Sequence, residues 1–223
     1  MDVAAPASGE RVLDGSVAAI PVAALVAVFG ASFGVLARTS GFPLLGAVAM
    51  SATTFAGSAQ FAAVSILAEG GGLAAAVVAA VLLNARYGPI GLSVAPYLPG
   101  AWLRRVLASQ LVVDESWAIA SRTDGSVSPQ RLIGAGLAVY LGWVGGTALG
   151  AAAGNALADP AALGLDAAFP ALFLGLLAPR VREPRARRAA AAGALIALVL
   201  VPFTPPGVPV IAAAAGAVLG QRR

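Results

Sequence analysis

The stretch FPLLGAVAMSATTFAGSAQFAAVSIL, residues 42–67, runs for 26 residues without a charged side chain. A hydrocarbon core about 30 Å thick needs about 20 apolar residues of helix, at a rise of about 1.5 Å per residue. The stretch is long enough to cross a bilayer, and its length predicts a transmembrane helix. Its serine, threonine and glutamine residues would then lie at membrane depth.

The whole chain is also rich in apolar residues and poor in charged ones. Of the 223 residues, 59% are hydrophobic and 11% are charged, and the mean hydropathy is +0.88. Ordinary soluble domains carry about 25% charged residues, so this chain has too few charges to cover a surface in contact with water. The composition excludes an ordinary soluble enzyme and indicates a polytopic membrane protein.

Four further stretches reach or approach the length of a span. They lie at residues 16–37, 73–98, 132–157 and 163–178. The uncharged region 189–221 contains four prolines, and because proline interrupts a helix we expect two short pieces there, either two tilted spans or one re-entrant hairpin. We predict an all-α fold, a transmembrane helical bundle of about seven hydrophobic segments. It would form one domain over residues 1–223, with a polar N-terminal tail at 1–15.

The arginines predict an orientation, since positive residues are retained on the cytoplasmic side. If each of the first five segments crosses in turn and the C-terminal pieces return the chain to the side it left, twelve arginines share one side, and Arg11 stands alone on the other. The twelve are Arg38, Arg104, Arg105, Arg122, Arg131, Arg180, Arg182, Arg185, Arg187, Arg188, Arg222 and Arg223. This count predicts a multi-pass protein of the cell (plasma) membrane with its N-terminus outside and its C-terminus in the cytoplasm. Apolar residues recur at helical spacing in the segment 99–131, which predicts a cytoplasmic loop with an interfacial helix.

Two similar dipeptides suggest an internal repeat. Phe42 and Pro43 open one apolar segment, and Phe169 and Pro170 lie early in another, each pair followed by a run rich in leucine and alanine. Units three crossings apart would be inverted copies, as in many secondary transporters, where the binding site lies between the repeats. An inverted repeat is therefore one expectation.

The chain contains no cysteine and no histidine. Disulfides and thiolate chemistry are excluded, and the commonest metal ligand and near-neutral acid or base is missing. We therefore expect no catalytic activity, no metal and no cofactor. The formal net charge of +4 comes from arginines that mostly flank apolar segments. That placement fits lipid contact and membrane orientation, with no nucleic acid as a partner.

Polar side chains in hydrocarbon mark either helix packing or a pathway for a solute. Ser51, Thr54 and Ser58 fall at positions i, i+3 and i+7, on one face of a continuous helix. Gln60, two residues further along the segment, can both donate and accept hydrogen bonds. The face either packs against another helix or lines a substrate path.

A second polar group interrupts the segment 73–98. Asn84, Arg86 and Tyr87 precede Gly88 and Pro89, a combination that favours a break in the helix. A broken helix exposes backbone groups that can hold a carboxylate or an ammonium group. Arg86 could instead extend to the membrane surface or pair with an acid such as Asp114.

Acidic residues form the third group. Asp114 and Glu115 lie in the segment 99–131, and Asp166 lies at the start of the segment 163–178. Such acids commonly lie on a solvated face or at the N-terminus of a helix, where the helix dipole stabilises a negative charge. The functional alternative is gating or proton coupling.

Several of these residues lie in stretches that resemble the AzlC-type branched-chain amino acid permease family, the large subunit of the LIV exporters. The matching stretches are MSATTFAGSAQFAAVSIL at 50–67, LLNARYGPIGLSVAPYL at 82–98, VVDESWAIA at 112–120 and GLDAAFPALFLGLLAP at 164–179, with PPGVPVIAAAAGAVLG at the C-terminal end. The resemblance implies efflux of branched-chain amino acids together with a small hydrophobic AzlD-type subunit, driven by an ion or proton gradient.

We therefore predict a secondary transporter that exports leucine, isoleucine, valine or similar neutral amino acids. Its predicted substrate-binding residues are Ser51, Thr54, Ser58, Gln60, Asn84 and Arg86, and its predicted gating or proton-coupling residues are Asp114, Glu115 and Asp166. The alternatives are a membrane subunit or scaffold without transport activity, and a channel for small solutes. The sequence leaves open whether the chain acts alone or as a homo-oligomer.

Overall fold

The computed structural model describes residues 10–98, 100–122, 124–154, 174, 178, 180–205 and 208–216. Within these residues it contains helices and no β-strand, so the predicted all-α class is confirmed. The helices are α1 (Val12–Thr39), α2 (Leu44–Thr54), α3 (Gly57–Ala68), α4 (Leu73–Asn84), α5 (Tyr87–Val94), α6 (Trp102–Ser109), α7 (Asp114–Ala120), α8 (Pro129–Ala153), α9 (Pro184–Leu200) and α10 (Val208–Ala213).

Two helices are long and apolar enough to cross a membrane, namely α1 with 28 residues and α8 with 25. α4 and α5, with the short 3₁₀ turn Ala95–Tyr97 that follows, are bent by 46° and together can form a third span. The predicted count of about seven segments is not confirmed. The segment 163–178 lies almost entirely outside the described residues, and the described part of 189–221 forms α10 and most of α9, separated at the prolines.

α1 and α8 pack against each other along their whole length, and they run in the same direction. A Cβ built on Gly134 of α8 would overlap the carbonyl oxygen of Val12, and one built on Gly150 would overlap that of Ala31. Small residues let two helix backbones approach this closely, and such stripes are typical of helix contacts in membranes. The glycines of α8 therefore explain why these two helices form the centre of the bundle.

This parallel packing corrects the topology predicted from the arginines. Arg38, at the end of α1, lies beside Gly154 at the end of α8, whereas Arg131, at the start of α8, lies beside Gly15 near the start of α1. Arg38 and Arg131 are at opposite ends of the helix pair, although the count of twelve arginines placed them on one side. The arginine count therefore no longer supports an outside location for the N-terminus, because re-entrant segments change the number of crossings between α1 and α8.

The charge-free stretch at 42–67 does not form one span, which corrects the prediction made from its length. α2 ends at Thr54, Phe55 adopts a left-handed conformation with φ 44°, and α3 begins at Gly57. Gln60 donates a hydrogen bond of 3.0 Å to the hydroxyl of Ser51, so the two helices lie side by side near the break. α2 and α3 therefore form a re-entrant hairpin that starts at the end of α1 and turns back.

The surrounding contacts support this turn. Arg38, at the end of α1, donates to the carbonyl oxygen of Phe42, just before α2. At the break, a Cβ on Gly57 would contact the ring of Trp143, near the middle of α8. Irregular backbone at membrane depth is tolerated where it is buried in protein or lines a cavity, and both conditions apply here.

α6 and α7 approach the same level from the opposite end of the bundle. Arg105 of α6 donates to the carbonyl oxygen of Ala95, and Gln110, just after α6, donates to that of Thr53 at 2.9 Å. α7 then returns, and Ala120 packs with Leu132 at the start of α8. The predicted loop 99–131 therefore contains a second helical pair, whose tip meets the tip of the α2–α3 hairpin. The interfacial position of α6 stays a prediction.

The inverted repeat is not confirmed. The two helices that precede the similar dipeptides, α1 and α8, run parallel, whereas an inverted repeat built on those dipeptides needs them antiparallel. The second dipeptide, at residues 169–170, lies outside the described residues.

Candidate functional site

Three interruptions of helical structure meet at one cavity of about 240 Å³. They are the break between α2 and α3 at Phe55 and Gly57, the break between α4 and α5 at Arg86, and the start of α7 at Val113 and Asp114. The cavity is level with the middle of α1 and α8, which form its walls. Broken helices that face a cavity at this depth are typical of the substrate sites of secondary transporters.

Most of the cavity wall is apolar. It is lined by Val22, Leu25, Val26 and Phe29 of α1, by Phe55, and by Val139 and Trp143 of α8. Behind the wall, the ring of Phe33 stacks on Trp143 at a centroid distance of 5.8 Å, which fixes the indole in place. Sites for drug-sized ligands have volumes of about 300–1,000 Å³, so this cavity suits a smaller solute with an apolar side chain.

The charged groups of the cavity lie together on the side of α5 and α7. Arg86 Nε lies 3.1 Å from Asp114 Oδ2, and the two side chains are 39% and 42% exposed. The Arg86 guanidinium also lies over the ring of Tyr87, 5.1 Å from its centroid. Glu115, next to Asp114, lines the same cavity, and within the described part of the chain no cation lies within 4 Å of it. The pairing of Arg86 with Asp114, which the sequence left open, is present.

Asp114 and Glu115 occupy the first turn of α7. Carboxylates are favoured there by the partial positive charge of the helix N-terminus, which is the structural role that the sequence offered for them. Because the same two residues also line the cavity, this role does not compete with contact to a substrate.

Ser58, in the first turn of α3, also lines the cavity. The residue is 5% exposed, and its hydroxyl has no hydrogen-bond partner among the described residues. A buried polar group without a partner costs about 1–3 kcal/mol, so its persistence calls for an explanation.

Ser51 and Gln60 are completely buried, and they form a hydrogen-bonded network with α8 instead of lining the cavity. The hydroxyls of Ser51 and Thr147 lie 2.9 Å apart, and the Gln60 side chain donates to Ser51. Gln60 Oε1 accepts from the backbone N–H of Ala56 at 3.2 Å and from Trp143 Nε1 at 3.1 Å. This geometry supports the helix-packing interpretation of Ser51 and Gln60, and it supplies a partner for backbone freed by the break.

Of the remaining predicted residues, Thr54 and Asn84 do not line the cavity. Thr54 is exposed at the end of α2, and the break after it separates it from the face of α3, so the prediction of one continuous polar face was wrong. Asn84 is half-buried at the end of α4, with no partner for its Oδ1 in the described structure. Asp166 lies outside the described residues.

Sequence reasoning missed two residues of the site and its support. Trp143 forms part of the cavity wall, and Thr147 completes the polar network. Thr147 could have been found, because it is the one hydroxyl residue besides Tyr140 in the apolar segment 132–157. Trp143 gave no such signal, since an aromatic residue in an apolar segment is ordinary. Tyr87, which the sequence groups with Asn84 and Arg86, lines the cavity and contacts Arg86.

Comparisons with known proteins identify the family. A family model described as "AzlC protein" matches residues 21–157. An "Uncharacterized membrane protein" of Archaeoglobus fulgidus is 34% identical over 192 residues, which cover 84% of this chain and 84% of that protein. The "Inner membrane protein YgaZ" of Escherichia coli is 29% identical over 188 residues, covering 77% of this chain and 74% of that protein. No solved structure gives a significant match. The chain is a membrane protein and belongs to the AzlC family.

Proposed function

We propose that this protein is a secondary transporter that exports branched-chain or similar neutral amino acids across the cell membrane. The observation that carries the proposal is the cavity at the helix breaks, which combines an apolar wall with charged groups of both signs. A neutral amino acid in its zwitterionic form has the same division, with one apolar side chain and two opposite charges.

The position of the cavity supports transport over a purely structural role. A scaffold needs its polar residues only for helix packing, which accounts for Ser51 and Gln60. It does not account for a partly exposed ion pair between Arg86 and Asp114 beside Glu115, which has no cation within 4 Å among the residues that the structure describes. Ionisable groups at membrane depth are costly and mark substrate or ion pathways.

The proposal involves no chemical step, so the energy for export comes from a gradient. No nucleotide-binding motif is present in the sequence. An ion or proton gradient is the simplest source, and the carboxylates of Asp114 and Glu115 are the groups proposed to couple to it or to gate the cavity. A small hydrophobic AzlD-type subunit is proposed as a partner, in keeping with the family resemblance.

The test is counterflow in lipid vesicles. Purified protein, with and without the small subunit, is reconstituted into vesicles loaded with unlabelled leucine, and uptake of labelled leucine, isoleucine and valine is measured. We expect saturable exchange that Arg86→Gln reduces and that the matched control Arg104→Gln, an exposed residue of α6 outside the cavity, leaves unchanged. Exchange no greater than in empty vesicles, in both preparations, would refute the proposal, and flux that does not saturate would indicate a channel.

A further inference from the structure

We propose that the N-terminus of α3, together with the hydroxyl of Ser58, is the subsite that binds the carboxylate group of the transported amino acid. This inference rests on the proposed function, and it divides the cavity into a carboxylate end at α3 and an ammonium end at α7.

The charged groups that line the cavity limit where a substrate carboxylate can bind. Among the described residues that line the cavity, Arg86 is the one cationic side chain, and its Nε lies 3.1 Å from Asp114 Oδ2. A substrate carboxylate that bound Arg86 would share the guanidinium with Asp114, and Glu115 of the same helix turn lines the same cavity. Repulsion between like charges disfavours that position. The substrate carboxylate therefore needs another positive pole.

The N-terminus of α3 supplies such a pole, because its first residues, Gly57 and Ser58, line the cavity. The first N–H groups of a helix have no acceptor within the helix, and together with the helix dipole they attract anions. No side chain caps α3, and the hydrogen bond from Ala56 N–H to Gln60 satisfies only the residue before the helix. The N–H groups of Gly57 and Ser58 therefore have no side-chain cap in the described structure.

The Ser58 side chain is the third part of the proposed subsite. The residue lines the cavity and is 5% exposed, and its buried hydroxyl has no partner in the described structure. A hydroxyl can donate to a carboxylate oxygen, so a bound substrate would supply the partner that is missing. In the proposed subsite the two N–H groups and this hydroxyl bind the substrate carboxylate together.

The substrate's ammonium group needs a negatively charged partner. With the carboxylate at α3, the ammonium group is assigned to Glu115, which lines the same cavity and has no cation within 4 Å among the described residues. The substrate side chain then lies against the apolar wall of α1 and Trp143. This arrangement requires a free α-carboxylate, so the substrate class is α-amino acids, and amines or amino acid amides of the same shape should bind weakly.

The experiment measures binding of three probes to the purified full-length protein by isothermal titration: L-leucine, L-leucinamide and isopentylamine. We expect the wild type to bind leucine at least tenfold more tightly than either analogue. Ser58→Ala should weaken leucine binding about tenfold or more, the usual effect of losing a hydrogen bond to a charged group, and should leave the affinity for leucinamide unchanged. Ser65→Ala, on the same helix but outside the cavity, is the matched control.

The outcomes separate the two proposals. If the wild type binds leucine but Ser58→Ala leaves the preference for leucine over leucinamide intact, the subsite is wrong and the transport function stands. If the wild type binds neither leucine nor any other neutral amino acid, the proposed function is wrong as well. Misfolding is checked by thermal unfolding, where Ser58→Ala should match or exceed the wild type because it removes an unsatisfied buried hydroxyl.

Discussion

Substitution of Gln60 by leucine tests whether the polar network stabilises the break between α2 and α3. The side chain donates to Ser51 and accepts from Ala56 N–H and Trp143 Nε1, with all three distances between 3.0 and 3.2 Å. Leucine has a similar size and no polar atoms, so Gln60→Leu removes three hydrogen bonds and leaves two buried N–H donors without acceptors.

The magnitude follows from two estimates. Hydrogen bonds between membrane helices average about 0.6 kcal/mol each, so three of them contribute about 2 kcal/mol. Each buried donor left unsatisfied costs about 1–3 kcal/mol. The second effect exceeds the first, because the Ala56 N–H lies at the break and has no alternative helical acceptor, and we expect a loss of about 3–4 kcal/mol in the free energy of unfolding.

The assay is unfolding in mixed detergent micelles, followed by the fluorescence of Trp143 in a chain in which the other two tryptophans are replaced by phenylalanine. Gln110→Leu is the matched control, since Gln110 is exposed and its loss should cost less than about 1 kcal/mol. A Gln60→Leu protein as stable as the control would show that the network does not hold the break, and the reasoning would be refuted.

Three further predictions concern the packing, the termini and the ion pair. Gly146→Ala should lower the free energy of unfolding by about 3 kcal/mol, because its Cβ would overlap the carbonyl oxygen of Ala27. The control is Gly145→Ala, which should not lower it, because a Cβ on Gly145 would meet no atom within 4 Å. Equal stabilities of the two variants would contradict the α1–α8 contact. The hydrogen bond from Ser128 lowers the pKa of Glu10, so its stabilising effect is fully present above about pH 4.5 and is lost as the pH falls through the lower folded value. The difference in unfolding temperature between wild type and Glu10→Gln should therefore shrink at acid pH, and a difference independent of pH would contradict this assignment. Asp114→Asn should change stability by no more than about 1 kcal/mol, because the ion pair is more than one-third exposed, but it should reduce leucine exchange; a stability loss with full exchange would show a structural role.

The sequence predicts the long spans because their signal is a sum over many residues. α1 and α8 lie where uncharged runs were long enough to cross a bilayer, and the bend between α4 and α5 lies at Arg86, just before Gly88 and Pro89. These features depend on local chemistry, namely burial of apolar side chains and the effect of proline on a helix. Features that depend on local chemistry can be predicted from a single sequence.

The break at Phe55 could not be predicted in the same way. Phenylalanine rarely adopts a left-handed conformation, and no proline lies nearby. The conformation is held by tertiary contacts: the Phe55 ring packs edge-on against Tyr140, 5.0 Å between centroids, and Gln60 satisfies the backbone. The uncharged stretch therefore satisfies the length rule for a span and still folds as a hairpin.

The error in topology has the same origin. Counting arginines on alternate sides assumes that each apolar segment crosses the membrane, and one re-entrant hairpin reverses every assignment after it. The contact between α1 and α8 is visible in the sequence as glycines in both helices, whose partners and direction a single sequence does not specify. The candidate site was predicted in part for a related reason, since Ser58, Arg86, Asp114 and Glu115 stand out as polar residues whereas the cavity wall does not.

The most direct test of the central claim, that the cavity at the helix breaks holds the transported amino acid, is protection of a single cysteine. The chain has no cysteine, so a Val26→Cys variant carries a single thiol, at a partly buried residue that lines the cavity. We predict that a small charged thiosulfonate reagent labels this residue and that saturating leucine, isoleucine or valine slows the labelling, while labelling of Ser65→Cys is unaffected. A Val26→Cys thiol that stays unlabelled, or that is labelled at the same rate with and without every neutral amino acid, would contradict the account.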